Sequence, residues 1–501
     1  MKTKKYIHVL GAVLLLIAAA SCKKYFDPST AIDENSALTS DADIETATIG
    51  TYAVLRNPSY VRSNHFLVEY PSDEVAQSQN SSDDLTRAYR YTHIVNSGHA
   101  TNFWGQAYKV IAAARNIIKA VPDDANTNLR QLKGENLFLR GMMYFNLVRV
   151  FGRPYTQNNG NNPGIPLLGE DLTNDELLTV SRSSVADVYE AILADLLKAE
   201  TMLTALKTNP FASKEVAQAL LARVYLYMGN NDKAIEYADK VISSGRYSLL
   251  QGSAYSTYFR AAPEGNLETI FCIRHTKTED EGWSAIGSMY YSGDANGTAM
   301  GKAVSGWGEI YASQKYWDFL QQYPEDRRAS FISPYRVNGV LQMNTSLTPA
   351  TPMYYINKYN LQEGIINLSS PVYLRLAEMY LIRAEANAKL GNDQLALDDV
   401  NIIRERAGLS GAALHTISSI AGAGKTALDV VLEERWLELA FEGHRAYDLF
   451  RNDRPMTRNY PGTHYLNNNT VNQTVTPADN RIIFFIPEAE IAKNSNLTQN
   501  P

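Results

Sequence analysis

The chain has 501 residues, of which 45% are hydrophobic and 20% charged, and this composition is typical of a globular protein with a large core. Its formal net charge is −6. Residues 1–21 carry three lysines and no acid, so the remainder has 44 basic against 53 acidic residues. Because phosphate binding needs a basic patch, this acidic balance argues against nucleic acid as a partner.

The sequence begins with the pattern of a lipoprotein signal peptide, which we assign to residues 1–21. Three lysines lie within the first five residues, and the apolar run 9–20 suits a signal but is too short to span a bilayer. Small residues lead directly into Cys22, whose thiol and amine would be acylated after cleavage. Because each buried methylene contributes about 0.8 kcal/mol, two or three acyl chains, palmitate among them, would hold the protein on a membrane. The alternative is an ordinary secretory signal followed by an accidental cysteine.

Helical periodicity begins after residues 22–40, which we interpret as a lipid-anchored tether. Apolar residues then recur at spacings of three and four, as they do on the buried face of a helix. A helix is predicted over Glu135–Phe151, where Gly152 and Pro154 would stop it. We therefore expect an N-terminal helical part over 41–245, with apolar stripes at Ile111, Ala114, Ile118 and Val121 and, within Ser183–Leu203, at Val185, Val188, Ile192 and Leu196.

Two segments, one from Ala219 and one from Leu381, repeat each other at an offset of 162 residues. In each, a Gly-Asn turn separates two helical stretches, and small alanines allow those helices to pack closely. This is the tetratricopeptide-repeat (TPR) pattern of paired antiparallel helices. The sequence thus predicts a mainly α fold with a helical TPR scaffold, whose second pair lies in a C-terminal part over 365–501.

Residues 246–364 interrupt the helical pattern and are rich in Gly, Ser, Asn and aromatic residues. Three of the five tryptophans, Trp283, Trp307 and Trp317, lie in this segment, which argues against disorder. We interpret it as an irregular, loop-rich ligand-binding lobe. Trp317 is the exception, because it falls in a predicted helical stretch over Ile310–Gln322 and is expected in the core.

Gly422–Thr426 resembles part of a phosphate-binding loop. The full motif requires a glycine at Ser419 and a preceding strand, and the sequence indicates neither. Thr426 and Asp429 have the spacing of a helix capping box, which we favour.

The segment Leu432–Arg451 is dense in charge, and Glu434, Glu438 and Glu442 would share one helix face. Paired carboxylates can hydrolyse glycosides. Basic residues at helical spacing, however, favour a structural ion network over an acid/base pair. His444 is expected to be structural. We find neither an H-E-x-x-H nor a C-x-x-C motif in the sequence, and we predict neither a metal nor a cofactor.

Ligand binding is expected to depend on aromatic and polar side chains in Gly- and Ser-rich segments. Sugar rings present apolar C–H faces that stack on aromatic rings, while their hydroxyls pair with amides, carboxylates and guanidinium groups. The alternative for each residue is that it only packs its own loop. The candidates are Trp283, Tyr290, Tyr291, Trp307, Asp73, Asn80, Arg87 and Tyr91.

Several motifs in a fixed order resemble the SusD/RagB family of Bacteroidota. They are the lipoprotein cysteine Cys22, the segments from Phe103 and Glu135, the Leu432–Arg451 block, and the ending from Arg481. The resemblance implies a TPR scaffold with a ligand-binding lobe. It also implies a lipid-anchored, surface-exposed protein of the outer membrane that caps a SusC-like TonB-dependent transporter. Members of the family capture glycans without chemistry during polysaccharide utilisation.

We therefore expect a non-enzymatic protein that captures an oligosaccharide and delivers it to a partner transporter. Two alternatives remain open. A TPR scaffold could bind only protein partners or a peptide cargo, and a surface glycosidase could use the carboxylates of the Leu432–Arg451 segment.

Overall fold

The computed structural model of the chain describes residues 38–78, 84–294, 300, 305–465 and 472–501. The predicted signal peptide, the predicted lipidation site Cys22 and the candidate Asn80 lie outside the described residues. The chain divides into two units, residues 1–44 and 45–501. Of the first unit, the structure describes residues 38–44, which include the start of helix α1.

The described chain is mainly helical, as predicted. No helix in the described ranges is long and apolar enough to cross a membrane. The helices are α1 (Asp41–Leu55), α2 (Pro58–Glu69), α3 (Leu85–Arg90), α4 (Gly98–Ala120), α5 (Thr127–Phe151), α6 (Asn174–Leu177), α7 (Val185–Met202), α8 (Lys214–Met228), α9 (Asn231–Ile242), α10 (Gly252–Ser256), α11 (Gly287–Tyr290), α12 (Gln314–Leu320), α13 (Leu376–Lys389), α14 (Asp393–Arg406), α15 (Ile417–Gly422), α16 (Ala427–Glu438), α17 (Arg445–Arg451) and α18 (Glu488–Lys493).

The two predicted TPR pairs are helices α8–α9 and α13–α14. Gly229 and Gly391 end the first helix of each pair with a left-handed backbone (φ 76° and 79°), which glycine adopts at no steric cost. Ala222 and Ala384, which occupy matching positions in the two repeats, are fully buried. Helices α5 and α7 pack on each other, α7 packs on α8, and α9 packs on α13, so the TPR-like scaffold is a continuous helical array.

Helix α5 begins earlier than the predicted start at Glu135. Asn126 caps it, because its side-chain oxygen accepts a hydrogen bond from the Leu129 N–H at 3.0 Å. The helix ends at Phe151, immediately before Gly152, as predicted. Almost every side chain from Gln131 onward is buried, so this helix runs through the interior and lacks an exposed face.

The strands are short and form six two-stranded antiparallel sheets within the described residues. One of them corrects the predicted helix over Ile310–Gln322: Ile310–Ala312 is a strand paired with Val75–Gln77, and only Gln314–Leu320 is helical. Trp317 is half-buried and stacks on Tyr354 with ring centroids 5.0 Å apart. The paired strands are β1 (Val75–Gln77) with β3 (Ile310–Ala312), β2 (Thr269–Cys272) with β10 (Val372–Arg375), β4 (Ile332–Pro334) with β9 (Tyr354–Ile356), β5 (Arg336–Val337) with β6 (Val340–Leu341), β7 (Met343–Asn344) with β8 (Thr351–Pro352), and β11 (Met456–Arg458) with β12 (Gln473–Val475).

Most of these strands fall within the predicted loop-rich lobe, although the domain limits at 245 and 364 stay predictions. The capping box at Thr426 is confirmed: its hydroxyl accepts from the Asp429 N–H at 3.1 Å, and the Asp429 carboxylate accepts from the Thr426 N–H at 2.8 Å. Gly422–Thr426 follows helix α15 and no strand, so the phosphate-loop alternative is wrong.

The Leu432–Arg451 segment is not one helix, which corrects the expectation of a shared carboxylate face. Helix α16 ends at Glu438, and Phe441 and Gly443 turn the chain with left-handed backbones before α17 begins. Glu434, Glu438 and Glu442 are buried and bound by basic side chains from other elements.

These contacts belong to a buried network that we name the central ion cluster. It contains five acidic and five basic side chains, none more than 5% exposed, so its formal charges balance. Glu434, Glu438 and Glu442 do belong to a structural ion network, but their partners come from distant segments and not from the helical spacings on which the prediction depended; of those spacings, Asp448 and Arg451 do pair. The members of the central ion cluster are Glu268, Asp326, Arg328, Lys358, Arg375, Arg404, Arg406, Glu434, Glu438 and Glu442.

Candidate functional site

Two tryptophans from the predicted lobe form an exposed pair. The side chains of Trp283 and Trp307 are 43% and 48% exposed, and their rings lie at 90° with centroids 5.1 Å apart. Large aromatic side chains are normally covered in a folded protein. Two neighbouring indoles in water therefore mark a surface that can contact a ligand.

Helix α11 holds both tryptophans in place. Ser288 donates its hydroxyl to the Trp283 carbonyl at 2.7 Å, and its own carbonyl accepts from the Gly308 N–H at 3.0 Å. Gly308 has a left-handed backbone, and a Cβ there would lie 2.9 Å from a ring carbon of Tyr355. Because Gly308 has no side chain, the backbone after Trp307 can lie close to the Tyr355 ring while the Trp307 indole stays exposed.

A groove with a cavity volume of about 300 Å³ opens beside Trp307. Its walls combine apolar surface with hydroxyl and amide groups, as ligand sites commonly do. Glu309 supplies the one formal charge among the described lining residues. The lining comprises Trp307, Gly308, Glu309, Tyr311, Tyr335, Gln342, Met343, Asn344, Thr345, Ser346, Met353 and Tyr355.

Tyr355 contributes a hydroxyl without a protein partner. Its side chain is fully buried, and its oxygen has no hydrogen-bond partner among the described residues. Burial and the neighbouring Tyr311 and Tyr335 raise the pKa of Tyr355, so the hydroxyl keeps its proton at neutral pH. Because an unsatisfied buried polar group is costly, we expect a buried water to bind this hydroxyl.

Asn344 shows how the groove wall is held. Its amide nitrogen donates to the Ser78 hydroxyl at 2.9 Å and to the Tyr311 hydroxyl at 3.3 Å. These bonds join strand β7 to the end of the β1–β3 sheet. The amide oxygen of Asn344 accepts a hydrogen bond from the Ser346 N–H at 3.0 Å, so one of its two lone pairs is already used.

The two predicted tyrosines of this region are buried. Tyr290 has no exposed surface, and its hydroxyl lies 2.6 Å from Nε2 of His65. Tyr291 packs against Tyr355 with ring centroids 5.7 Å apart and donates to the Asp294 carbonyl at 3.0 Å. Both tyrosines therefore support the site from below, and neither is among the lining residues.

Three other candidates, Asp73, Tyr91 and Arg87, are not among the described residues that line the groove. Asp73 is buried against Arg445 and Lys315, and despite its burial these cations hold the pKa of its carboxyl well below the usual value. Tyr91 is buried and donates its hydroxyl to the Pro71 carbonyl. Arg87 is exposed on helix α3. The structure thus brings Trp283 and Trp307 together, whereas Asp73, Tyr91 and Arg87 do not line the groove beside them.

Sequence reasoning missed most of the lining. Tyr335, Gln342, Asn344 and Tyr355 lie in or directly beside short strands between 332 and 356, where no strong periodicity marks them. The one usable signal was the run of polar and aromatic residues after Trp307. In the part of the chain that is described, no group of three His, Cys, Asp or Glu side chains could hold a metal ion.

Two family models match separate stretches of the chain. The model described as "SusD family" matches residues 339–501, and the model described as "Starch-binding associating with outer membrane" matches residues 24–226. Together they include most of the helical scaffold, although not helix α9, and the Leu432–Arg451 segment on which the sequence resemblance also depends.

Individual proteins are similar over most of the chain. A SusD-like protein, P2, of Formosa agariphila is 27% identical over 99% of both chains. The starch-binding protein SusD of Bacteroides thetaiotaomicron is 27% identical and aligns with 75% of this chain and 73% of its own.

The fold is shared with solved structures as well. A SusD superfamily protein of Bacteroides thetaiotaomicron superposes with a TM-score of 0.79 at 28% identity, covering 92% of this chain and all of the other. The chain therefore belongs to the SusD-like family of carbohydrate-binding proteins.

Proposed function

We propose that this protein captures an oligosaccharide in the groove beside Trp283 and Trp307 and delivers it to an outer-membrane transporter. The observation that carries the proposal is the exposed tryptophan pair at the edge of a cavity lined by hydroxyl and amide groups. Family membership supports the ligand class, since one matching model describes starch binding.

The chemistry of the groove suits a sugar chain. Pyranose rings have apolar faces, which an indole covers, and equatorial hydroxyls, which need donors and acceptors nearby. Trp307 offers the first kind of surface, and the side chains of Gln342 and Ser346 offer the second. An open cavity of this size also allows the ligand to leave, which a delivery protein requires.

Binding of oligosaccharides by the purified chain tests the proposal. We expect saturable binding of at least one member of a broad glycan panel in calorimetry. Removing one indole should cost about 1–2 kcal/mol of lost apolar contact, so Trp307→Ala and Trp283→Ala should each weaken binding roughly 5- to 30-fold. Leu206→Ala is the control, because Leu206 is 82% exposed and does not line the groove. Failure of every glycan to bind would contradict the proposal.

Membrane attachment is the second part of the proposal. We propose that Cys22 is acylated and fastens the protein to the outer membrane with its body at the cell surface. The family model associated with the outer membrane supports this location. Cys22→Ala should move the protein from the membrane fraction to the soluble fraction, and an unmodified thiol on the mature wild-type chain would refute anchoring.

The partner is proposed to be a SusC-like TonB-dependent transporter, which the chain would cap. Co-purification from outer membranes with a large β-barrel protein is the expected result. Co-purification without any glycan binding would instead favour one of two alternatives: that the chain is a TPR scaffold that binds only proteins, or that its cargo is a peptide.

We propose that the chain carries no glycosidase activity on the Leu432–Arg451 segment. The side chains of Glu434, Glu438 and Glu442 are at most 5% exposed and are paired with buried basic side chains, which argues against their contact with a sugar. Turnover of any bound glycan by the purified protein would contradict this part of the proposal.

A further inference from the structure

The β5–β6 hairpin adjoins the groove and presents apolar side chains to water. Val337 and Val340 are 43% and 65% exposed, although valine is among the residues most often buried. The two valines face each other across the hairpin, because the strand register pairs them directly. Met343, which lines the groove, is 42% exposed. Neighbouring exposed apolar side chains beside a groove indicate a surface that contacts another molecule.

The two valines lie on the face of the hairpin that lines the groove. The antiparallel register continues to Tyr335 and Gln342, where the Gln342 N–H donates to the Tyr335 carbonyl at 2.8 Å. Side chains two residues apart in a strand point to the same side, so the valines share a face with these two residues. Tyr335 and Gln342 are both groove-lining residues.

Side-chain contacts agree with this assignment of faces. The centroids of the Tyr335 and Tyr355 rings are 6.2 Å apart, and Tyr355 also lines the groove. The Gln342 side chain follows the hairpin, and its amide nitrogen donates to the Val340 carbonyl at 2.9 Å. Leu341, which alternates with these residues, packs instead against the main hydrophobic core. The groove wall therefore continues from Tyr335 and Gln342 onto the exposed valines.

An Asn-Gly turn holds the hairpin in shape. Asn338 and Gly339 both have a positive φ, 49° and 79°, as two-residue hairpin turns require. The Arg336 guanidinium donates to the Gly339 carbonyl at 3.0 Å and so also holds the turn. The hairpin is therefore preformed, and its valines can contact a ligand without a rearrangement of the backbone.

The groove itself is too small to enclose a long sugar chain. Its volume of about 300 Å³ lies at the lower end of the range of roughly 300–1,000 Å³ in which proteins enclose small ligands. An oligosaccharide of several units therefore extends beyond the groove onto an adjoining surface. The hairpin provides such a surface, and the methyl groups of its valines match the apolar C–H faces of pyranose rings.

We propose that the face of the β5–β6 hairpin that carries Val337 and Val340 is an outer subsite for the part of an oligosaccharide that extends beyond the groove. The inference rests on the proposed function, because it extends the same site to longer chains. Covering the exposed valines removes apolar surface from water, and only a ligand that reaches the hairpin gains from this. The hairpin therefore makes the site selective for chain length.

A length series of oligosaccharides tests the proposal. The purified whole chain is titrated in a calorimeter with laminari-, malto- and xylo-oligosaccharides, each from the disaccharide to the octasaccharide. In the series that binds best, we expect the longest chains to bind about threefold to tenfold more tightly than the shortest chains that bind. Equal affinity for short and long chains would overturn the inference.

Hairpin variants are needed as well, because a longer chain also offers more ways to fill the groove. The double variant Val337→Thr/Val340→Thr keeps the β-branched shape that strands favour and replaces apolar methyl groups with hydroxyls. It should lose most of the gain for long chains and bind short chains as the wild type does. Val340→Trp enlarges the apolar surface and should tighten the binding of long chains only.

Ile417→Thr is the matched control. Ile417 is also β-branched and 44% exposed, and it is not among the described residues that line the groove. This variant should keep the length dependence of the wild type. If the double variant at the hairpin also kept it, the inference would be overturned.

The remaining outcomes separate this inference from the proposed function. If the double variant no longer co-purified with a β-barrel protein and yet kept the length dependence, the hairpin would be a protein contact, and the inference would be overturned while oligosaccharide capture stood. Failure of every chain length to bind to the wild type would contradict the proposed function itself, and the inference would fall with it.

Discussion

Replacing Glu438 tests whether the central ion cluster stabilises the fold. The Glu438 side chain has no exposed surface, and it accepts hydrogen bonds from Arg375, from Arg406 and from the Tyr255 hydroxyl, the last at 2.9 Å. Burial alone would raise the pKa of Glu438, but Arg406, Arg375 and Arg328 together hold it well below its usual value. The carboxylate is therefore ionised and compensates several buried cations.

Glu438→Gln keeps the size of the side chain and removes one negative charge. The cluster, which has equal numbers of acids and bases, would then carry one uncompensated buried positive charge. Breaking a buried ion pair in this way costs about 3–5 kcal/mol. In a unit the size of residues 45–501, about 1 kcal/mol corresponds to roughly 1 °C in Tm, so we expect Tm to fall by about 3–5 °C in a circular-dichroism melt.

Glu433→Gln is the matched control on the same helix. The Glu433 side chain is 30% exposed and pairs at 2.7 Å with Lys425, which is 38% exposed. Exposed pairs contribute about 0–1 kcal/mol, so this variant should melt within about 1 °C of the wild type. Equal Tm values for the two variants would refute the reasoning that the buried cluster depends on Glu438.

Two further predictions concern a helix cap and a buried carboxyl. Thr426→Ala removes the cap of helix α16 and should lower the free energy of unfolding by about 0.5–2 kcal/mol in denaturant titrations, whereas Thr426→Ser should restore most of it. Glu69 is buried, and burial raises its pKa to about 8 from an ordinary value of 4.5, although it accepts from the Gly443 N–H. Between pH 4.5 and about 8, Glu69 keeps its proton in the folded protein but has released it in the unfolded chain. Its contribution therefore lowers the free energy of unfolding as the pH rises through this range, and above about pH 8 it adds no further pH dependence. Between pH 7 and 8, Glu69→Gln should remove a slope of up to about 1.4 kcal/mol per pH unit, and an unchanged slope of Tm against pH would contradict the assignment.

The helical scaffold was predictable because its residues carry local patterns. The Gly-Asn turns at Gly229 and Gly391 and the alanines beside them occur at a fixed offset, and each signal depends only on neighbouring residues. The strand at Ile310–Ala312 was not predictable in this way. It pairs with Val75–Gln77, more than 200 residues earlier, and a pairing over that distance leaves no local periodicity.

The site was predictable only for residues that are unusual by themselves. Trp283 and Trp307 stand out because tryptophan is scarce in this chain, which has five in 501 residues. Tyr290 lies in the same segment and yet is buried, since helix α11 turns it toward His65. The Gly- and Ser-rich sequence around Tyr290 is similar to that around the two tryptophans. Tertiary packing therefore decides which of these aromatic side chains faces water and which faces the core.

The structure separates the residues that stabilise the fold from those that face the ligand, and this separation can be measured. Glu438 is fully buried, whereas the two indoles are about half exposed. Replacing an exposed indole removes little buried apolar surface, so Trp307→Ala should lower Tm by about 2 °C or less while weakening oligosaccharide binding. Glu438→Gln should show the opposite pattern, with a lower Tm and binding close to that of the wild type below the melting range. If both variants lost binding and stability in proportion, the groove would depend on the ion cluster for its shape, and the two functions of the fold would be coupled.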